Sequence, residues 1–594
     1  MKKEEFIMKK IINYKTGLAL VLLSLFASCN TWTDKPPLTS FEDDASYWKN
    51  ETAVRLFSNG FYSLFNGAGT GTLSSIFSNT GNGTDADVFF ATFSDDQANV
   101  PLNGFDMFPQ SATATANTWS TPYSYIRLAQ LLLLRINTVS DISDVARDHY
   151  TGLAYYFLAM EYFDLVRHYG DVPFVDKYLD QNADEDLIWG PRVNRDVVMD
   201  SVLTYINNAV ALIYPKSVAD GDPNLGANTM NQDIANALKS RICLYEGSWA
   251  KYHEGNSTRA NQYFTECKNA SEALMNTGNY KLAPDYKTSY CTAGLTTAKG
   301  GEILLFRKYM TGYISNAIYS WANSTTGCPG LTKDAVESFL CTDGLPIGLS
   351  PLYKGDECNT STLSIATTTL ANRDKRLTET VDPILSFGGG FSVDAAKHIS
   401  QTGYMIDRFN PASSSATSNP VVDVPIFWYP EVLLNEAEAL TELGSFTQSD
   451  ADNTVNLLRA RAGVAALQVN SVPDDPKRDS DVSSLLWEVR RERRAELMLT
   501  VFRYWDLRRW GKVSYLDQNV KPDIFKGAKL PVGFTFPSNV QGGEDSNRYL
   551  NVYPAATAAT RIIKDPQDYL DPVPTGQIEL YQGRGIDFPQ NPGW

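Results

Sequence analysis

Histidine is scarce: His149, His168, His253 and His398 are the 4 present in 594 residues. None sits in an HExxH or a paired Cys/His spacing, so metal-assisted hydrolysis has no visible ligand set. No G-x-S-x-G nucleophile elbow occurs either. Gly388-Gly389-Gly390 lies among Phe and Ser residues with no lysine to hold a phosphate. Positive charge is also short, with 52 Lys and Arg against 68 Asp and Glu and a formal net charge of −16. Nucleic acid, whose phosphates need a basic face, is therefore a poor partner. After the first thirty residues no apolar run approaches the length that spans a bilayer; Leu131–Leu134 is stopped by Arg135. Paired carboxylates for glycoside hydrolysis are a matter of separation in space, which composition does not give. An acidic, aromatic-rich surface suits neutral ligands better.

What is present begins at the N-terminus. Lys9, Lys10 and Lys15 precede an apolar stretch, Thr16 to Phe26, and Ala27-Ser28 lead to Cys29. This is the pattern of a signal peptide, residues 1–28, removed at a cysteine that receives lipid. Acyl chains at about 0.8 kcal/mol per buried CH₂ would anchor the chain to a membrane. Phe26 stands where leucine is commoner, and the alternative is an ordinary signal peptide followed by a chance cysteine. Met8 would serve as a start as well as Met1. Residues 29–44 are polar and contain Pro36-Pro37, a leash between lipid and body. Six further cysteines, Cys243, Cys267, Cys291, Cys328, Cys341 and Cys358, allow fifteen pairings without a CxxC, so disulfides are optional staples whose pairing is open.

From residue 45 to 594 the chain is expected to form one body, with an N-terminal half over 45–280 and a C-terminal half over 281–594. Apolar spacing predicts helices at Ala45–Tyr62, Trp119–Val139, Tyr150–Tyr169, Asp196–Ile213, Gln232–Tyr245, Ser257–Asn276, Tyr429–Leu443, Asp450–Ala462 and Ser484–Trp510. Gly170-Asp171-Val172-Pro173 should end the third of these. Gly247, Gly278, Gly444 and Gly511 are read as closing others. Helix pairs joined by such turns suggest hairpin repeats of the tetratricopeptide sort, diverged too far for self-similarity to prove. Residues 280–425 and 511–594 are rich in Gly, Pro, Ser, Thr and Asn. The fold class is therefore mainly α, helix-hairpin repeats packed against a large irregular segment with a few short strands.

Several segments, in register, resemble the SusD/RagB family of surface lipoproteins. They are DASYWKN (44–50) before NGFY (59–62), FLAMEYFDLVRHYGDVPFV (157–175), ALKSRICLYEGSWA (237–250), GLTKDAVESFLCTDGLPI (330–347), FWYPEVLLNEAEALTELG (427–444), VNLLRARAGV (455–464), VRRERRAELMLTVFRYWDLRRWG (489–511) and YLDPVPTGQIELYQGRGIDFPQNPGW (569–594). Leu158 departs where the family often has Arg, and Gln130 where Asn is frequent, which puts local hydrogen bonds in question. Read on its own, 488–511 interleaves seven arginines with four acids at near-i±4 spacing. That predicts intrahelical ion pairs, and arginine forks to neighbouring helices where partly buried, rather than a nucleic-acid patch.

The resemblance implies a non-catalytic, outer-membrane, lipid-anchored protein, facing the cell surface. It would bind an oligosaccharide, starch-like or other, and deliver it as a lid to a SusC-like TonB-dependent transporter. A peptide-binding lid of the RagB type is the alternative, and a surface glycosidase the remoter one. No cofactor is implied; bound Ca²⁺ is possible in the family but not readable from residues. Two segments fall where the family builds its glycan patch. Phe89, Phe90 and Phe93 beside Asp85 form the first; Tyr313, Tyr319, Trp321 and Asn323 form the second. Aromatic faces stack on sugar C–H groups while polar tips meet hydroxyls. Trp321 leads this set; the competing reading is a ring filling the core beneath a loop.

Overall fold

The computed structural model describes residues 47–66, 94–98, 111–180, 184–292, 294–310, 330–387, 400–409, 422–500, 502–534, 542–558 and 563–594. Cys29 and the leash lie outside these residues. Eleven helices of eight or more residues are described: α1 (Glu51–Asn59), α2 (Asn117–Ile136), α3 (Asp144–Tyr169), α4 (Arg195–Leu212), α5 (Gln232–Tyr252), α6 (Ser257–Met275), α7 (Tyr429–Glu442), α8 (Val455–Ala462), α9 (Ser484–Glu496), α10 (Phe502–Arg509) and α11 (Thr575–Gln582). Each of α2 to α7 packs on the next, and α7 packs in turn on α9. That is the stacked-hairpin arrangement expected of tetratricopeptide-like repeats. The described strands form three two-stranded antiparallel ribbons: β1 (Gln97–Ala98) with β3 (Gly330–Leu331), β2 (Ile303–Arg307) with β4 (Val424–Trp428), and β5 (Lys526–Lys529) with β6 (Tyr549–Asn551).

Helix α3 is the axis of the stack. Ser143 caps its start by accepting from the Ala146 N–H, which satisfies one of the orphan donors of a first turn. Every residue from Tyr156 to Tyr169 is buried, because α1, α2 and α4 cover it on different sides. It ends where the sequence places the stop: Gly170 has φ +70° and returns its N–H to Val166 O at 2.8 Å. A Cβ there would also sit 3.0 Å from Leu570, so the position requires glycine twice over. The chain beyond the turn is fixed by Gln130 Nε2 and Tyr162 Oη, which both donate to Val175 O at 2.7 Å. Gln130 thus makes a side-chain hydrogen bond to the turn. Leu158 does not: it joins the apolar core, and Glu161, one turn along, keeps both carboxyl oxygens without a hydrogen-bond partner. Burial, then the nearby Asp164, push that carboxyl well above the usual range.

Three expectations need correction. Gly247 does not close a helix; α5 runs through it to Tyr252. Its missing side chain makes room for Phe264 of α6, whose ring lies 2.7 Å from where a Cβ would be. The helix expected over Ser484–Trp510 is broken between Glu496 and Phe502, where Leu499 takes a left-handed φ of +59°. Arg408 Nη2 holds that break by donating to Leu499 O at 3.2 Å. The run expected over Asp450–Ala462 is likewise two pieces, Gln448–Asn453 and α8. Cys243, Cys267, Cys291, Cys341 and Cys358 are all free thiols, and Cys328 lies outside the described residues. Among the described residues no helix is long and apolar enough to cross a membrane, and no group of three or more His, Cys, Asp or Glu is placed to hold a metal ion.

Candidate functional site

The glycan-patch candidates Asp85, Phe89, Phe90, Phe93, Tyr313, Tyr319, Trp321 and Asn323 lie outside the described residues. What is described is the framework on either side of their two segments. The residues that follow the first segment form β1, and those that follow the second form β3. These two strands pair, Gln97 opposite Leu331 and Ala98 opposite Gly330. Thr332 ties the pair further, its N–H donating to Asp96 O at 3.0 Å and its hydroxyl to Asp95 O at 2.7 Å. On the other side of the second segment, Tyr309 N–H donates to Asp423 at 2.9 Å. Segments more than 200 residues apart in sequence therefore share one anchored ribbon.

The ribbon is bolted to the arginine-rich helices. Arg503 Nε and Nη2 donate to both oxygens of Asp95 at 2.7 and 2.6 Å. Arg494 donates to Asp96 at 2.8 Å and to Asp334 at 2.7 Å. Burial pushes the Asp95 carboxyl up, but the two guanidinium groups outweigh it and hold the acid well below the usual range. Asp95 is thus a structural anion that ties the ribbon to the helices.

The arginines of 488–511 pair mostly across elements rather than along their own helix. Arg493 reaches Asp506 at 2.8 Å, Arg508 reaches Asp571 at 2.7 Å, and Arg509 forks onto Glu438 at 2.7 and 2.6 Å. Glu492 and Glu496, instead of pairing along their own helix, receive Arg376, Arg459 and Arg461 from elsewhere in the chain. Arg491 with Glu488 and Arg509 with Asp506 are the i,i+3 pairs of this run. The reason is burial: a planar fork with five donors satisfies more groups between packed elements than along one helix face. Burial raises the Glu438 carboxyl while Arg509, Arg493 and Arg490 lower it more, to about 2.

One wall of this lattice opens into a cavity of about 280 Å³. Trp487, Trp510 and Tyr515 line it together with Pro346, Ile347 and Pro476. Seven Lys and Arg side chains line it against four carboxylates, the reverse of the balance in the whole chain. Trp487 is half-buried and held by its Nε1–H to Asp475 at 3.1 Å. Lys521 lies 4.3 Å over the Tyr515 ring. The sequence does not single these residues out, since Ile347, Trp487 and Lys521 meet only after folding. The unusual aromatic content among the arginines of 487–515 was the available signal.

Comparison with known families decides the lineage. Residues 385–594 match the profile of the SusD family, and residues 84–244 match a second SusD-like profile described as starch-binding, associating with the outer membrane. The chain belongs to the SusD/RagB family. Solved SusD-like structures share its fold across nearly the whole length. A SusD-like carbohydrate-binding protein from Bacteroides fragilis is 20% identical with a TM-score of 0.66, covering 91% of this chain and 99% of its own. A second SusD-like protein from the same organism is 20% identical with a TM-score of 0.65, covering 94% and 100%. Surface glycan-binding protein A from Bacteroides fluxus is 14% identical with a TM-score of 0.58, covering 92% and 100%. No match is found among curated proteins.

Proposed function

We propose that this SusD-family protein is an outer-membrane lipoprotein, anchored through Cys29, that binds an oligosaccharide without altering it. It then passes the cargo to a SusC-like TonB-dependent barrel. The observation that carries the reading is the family match, whose N-terminal profile is described as starch-binding and outer-membrane-associated. The printed descriptions of carbohydrate- and glycan-binding relatives support it. The pairing of β1 with β3 adds a physical argument, because it joins the described residues that follow the two candidate segments in the sequence. A leash of residues 29–44 leaves the body free to hinge over a barrel. Closure would trap cargo between two surfaces and raise its local concentration, so a shallow site of modest affinity suffices.

Isothermal titration of the folded protein against neutral and acidic oligosaccharides and peptides tests the reading. Binding of a glycan, weakened by about 1–3 kcal/mol in Trp321→Ala as expected for loss of an aromatic stacking face, supports it. Peptide binding with no glycan binding would move the protein to the RagB type of lid. Copurification with an outer-membrane barrel tests delivery.

A further inference from the structure

The cavity beside the ribbon has a feature that the ion-pair lattice leaves unexplained. Four arginines line it: Arg490, Arg491, Arg494 and Arg503. Arg491 and Arg494 use all three nitrogens in hydrogen bonds, and Arg503 grips Asp95 with two. Arg490 makes one, from Nη2 to Glu442 at 3.1 Å. Its Nε has no hydrogen-bond partner and lies 4.0 Å from Glu438. Yet the side chain is 7% exposed, its guanidinium carbon 4.3 Å from the centre of the Trp510 ring. A buried guanidinium with unused donors costs folding energy unless something meets it.

The surroundings indicate what that something is. Lys512 and Lys521 stand at the same cavity, and Lys521 has only a 3.9 Å approach to Asp479. Both sit over Tyr515. Lys477, Lys512, Arg491, Arg494 and Arg503 are each closely ion-paired, which leaves Arg490 and Lys521 as the lining cations with capacity for an anion, through short-range pairing rather than long-range attraction. The walls between these cations are carbon: the indoles of Trp487 and Trp510, the Tyr515 ring, Pro346 and Pro476. Such walls suit a ring with an apolar face, and Asp475 and Glu337 offer acceptors for hydroxyls. The volume lies just below the range that holds drug-sized ligands, which fits a single sugar residue.

We propose that this cavity is a ligand subsite for a carboxylate-bearing sugar residue, a uronate, whose ring rests on Trp487 and whose carboxylate meets Arg490 and Lys521. The inference rests on the glycan-binding reading, and adds a second site and a substrate class to it. A carboxylate takes the fork of Arg490 better than a neutral hydroxyl does, because charge-assisted bonds are roughly twice as strong. Removal of Arg490 leaves Glu442 satisfied by Lys251 and Tyr252 at 2.6 and 2.7 Å, so Arg490→Gln is expected to fold.

The test is calorimetric titration of a galacturonic acid trisaccharide, and of the matching neutral galactose trisaccharide, into the full chain. Wild type, Arg490→Gln, Trp487→Ala and the rim variant Lys521→Gln are compared, each checked for an unchanged unfolding transition. Wild type should prefer the uronate, and each variant should bind it about ten-fold or more weakly, with the neutral sugar little changed. Neutral binding without uronate binding would overturn this subsite and leave the proposed function standing. Uronate binding indifferent to all three substitutions would put the anion elsewhere, overturning it too. Binding of neither trisaccharide by the folded wild type would overturn the subsite, while the proposed function stands or falls on the wider oligosaccharide titration above. Capture of an acidic peptide in place of the uronate, sensitive to the same substitutions, would reassign the cavity to peptide.

Discussion

Replacing Glu436 by glutamine should make the protein progressively more stable than wild type as pH rises from 5 to 7. Glu436 lies on α7, facing α6, and is 5% exposed, with Oε2 lacking any partner. Burial first, then Glu272 and Asp450, raise its carboxyl from an ordinary 4.5 to about 8; Lys268 opposes this weakly because it pairs with Glu272 at 2.9 Å. The sign follows from proton counts. Between 4.5 and 8 the folded chain keeps this proton while the unfolded chain has released it. Stability from this group is therefore full below 4.5 and is lost as pH rises toward 8. The slope for one such proton is roughly 1.4 kcal/mol per pH unit, so about 2–3 kcal/mol is expected between pH 5 and pH 7. Urea unfolding of both proteins at pH 5, 6 and 7 measures it, and subtracting one curve from the other cancels the other titrating groups. A Gln-minus-wild-type difference that stays flat across those three values would refute the reasoning.

Gly247→Ala, which in an exposed helix would help, should here cost about 1–3 kcal/mol, because its methyl meets the Phe264 ring; thermal unfolding shows this as a lower Tm. Arg509→Met removes the fork on Glu438 and the bond to Asp506. A loss of about 3–5 kcal/mol in denaturant titration is expected, since a buried charge is left without its counterion, and adding Glu438→Gln should recover part of it. Cys29→Ser should move the protein from the membrane to the soluble fraction on cell fractionation, and unchanged membrane association would remove lipid attachment from the account.

The sequence conveys the helices whose apolar spacing is strong and whose ends carry glycine, as α3 with Gly170 illustrates. It misleads at Gly247, where small size serves a neighbour rather than a turn, and the deciding atom belongs to Phe264 on the next helix. The break at Leu499 carries no glycine or proline, and is held by Arg408 from a distant segment. The arginine run shows that charges will pair, while the partners depend on which faces become buried. Arg493 therefore chooses Asp506 and Asn435 over its own helix. The cavity beside Arg490 draws on positions from Asp95 to Lys521, and no local pattern announces such a gathering. The aromatic segments themselves are visible as composition, while the pairing of the residues that follow them becomes visible only through the Gln97–Leu331 register.

The break held at Leu499 is one of several places where distant segments complete one another, and the farthest concerns timing. The turn after α3 is sealed by Arg192, which donates to Tyr169 O and to Asn591 Oδ1, residues separated from each other by 422 positions. Asn591 donates in return to Tyr169 O at 3.0 Å, and Asp571 joins Arg508 to His168. The earliest hairpins thus wait, incompletely satisfied, while hundreds of residues are synthesised. Their final locking is a long-range closure of the kind that slows folding.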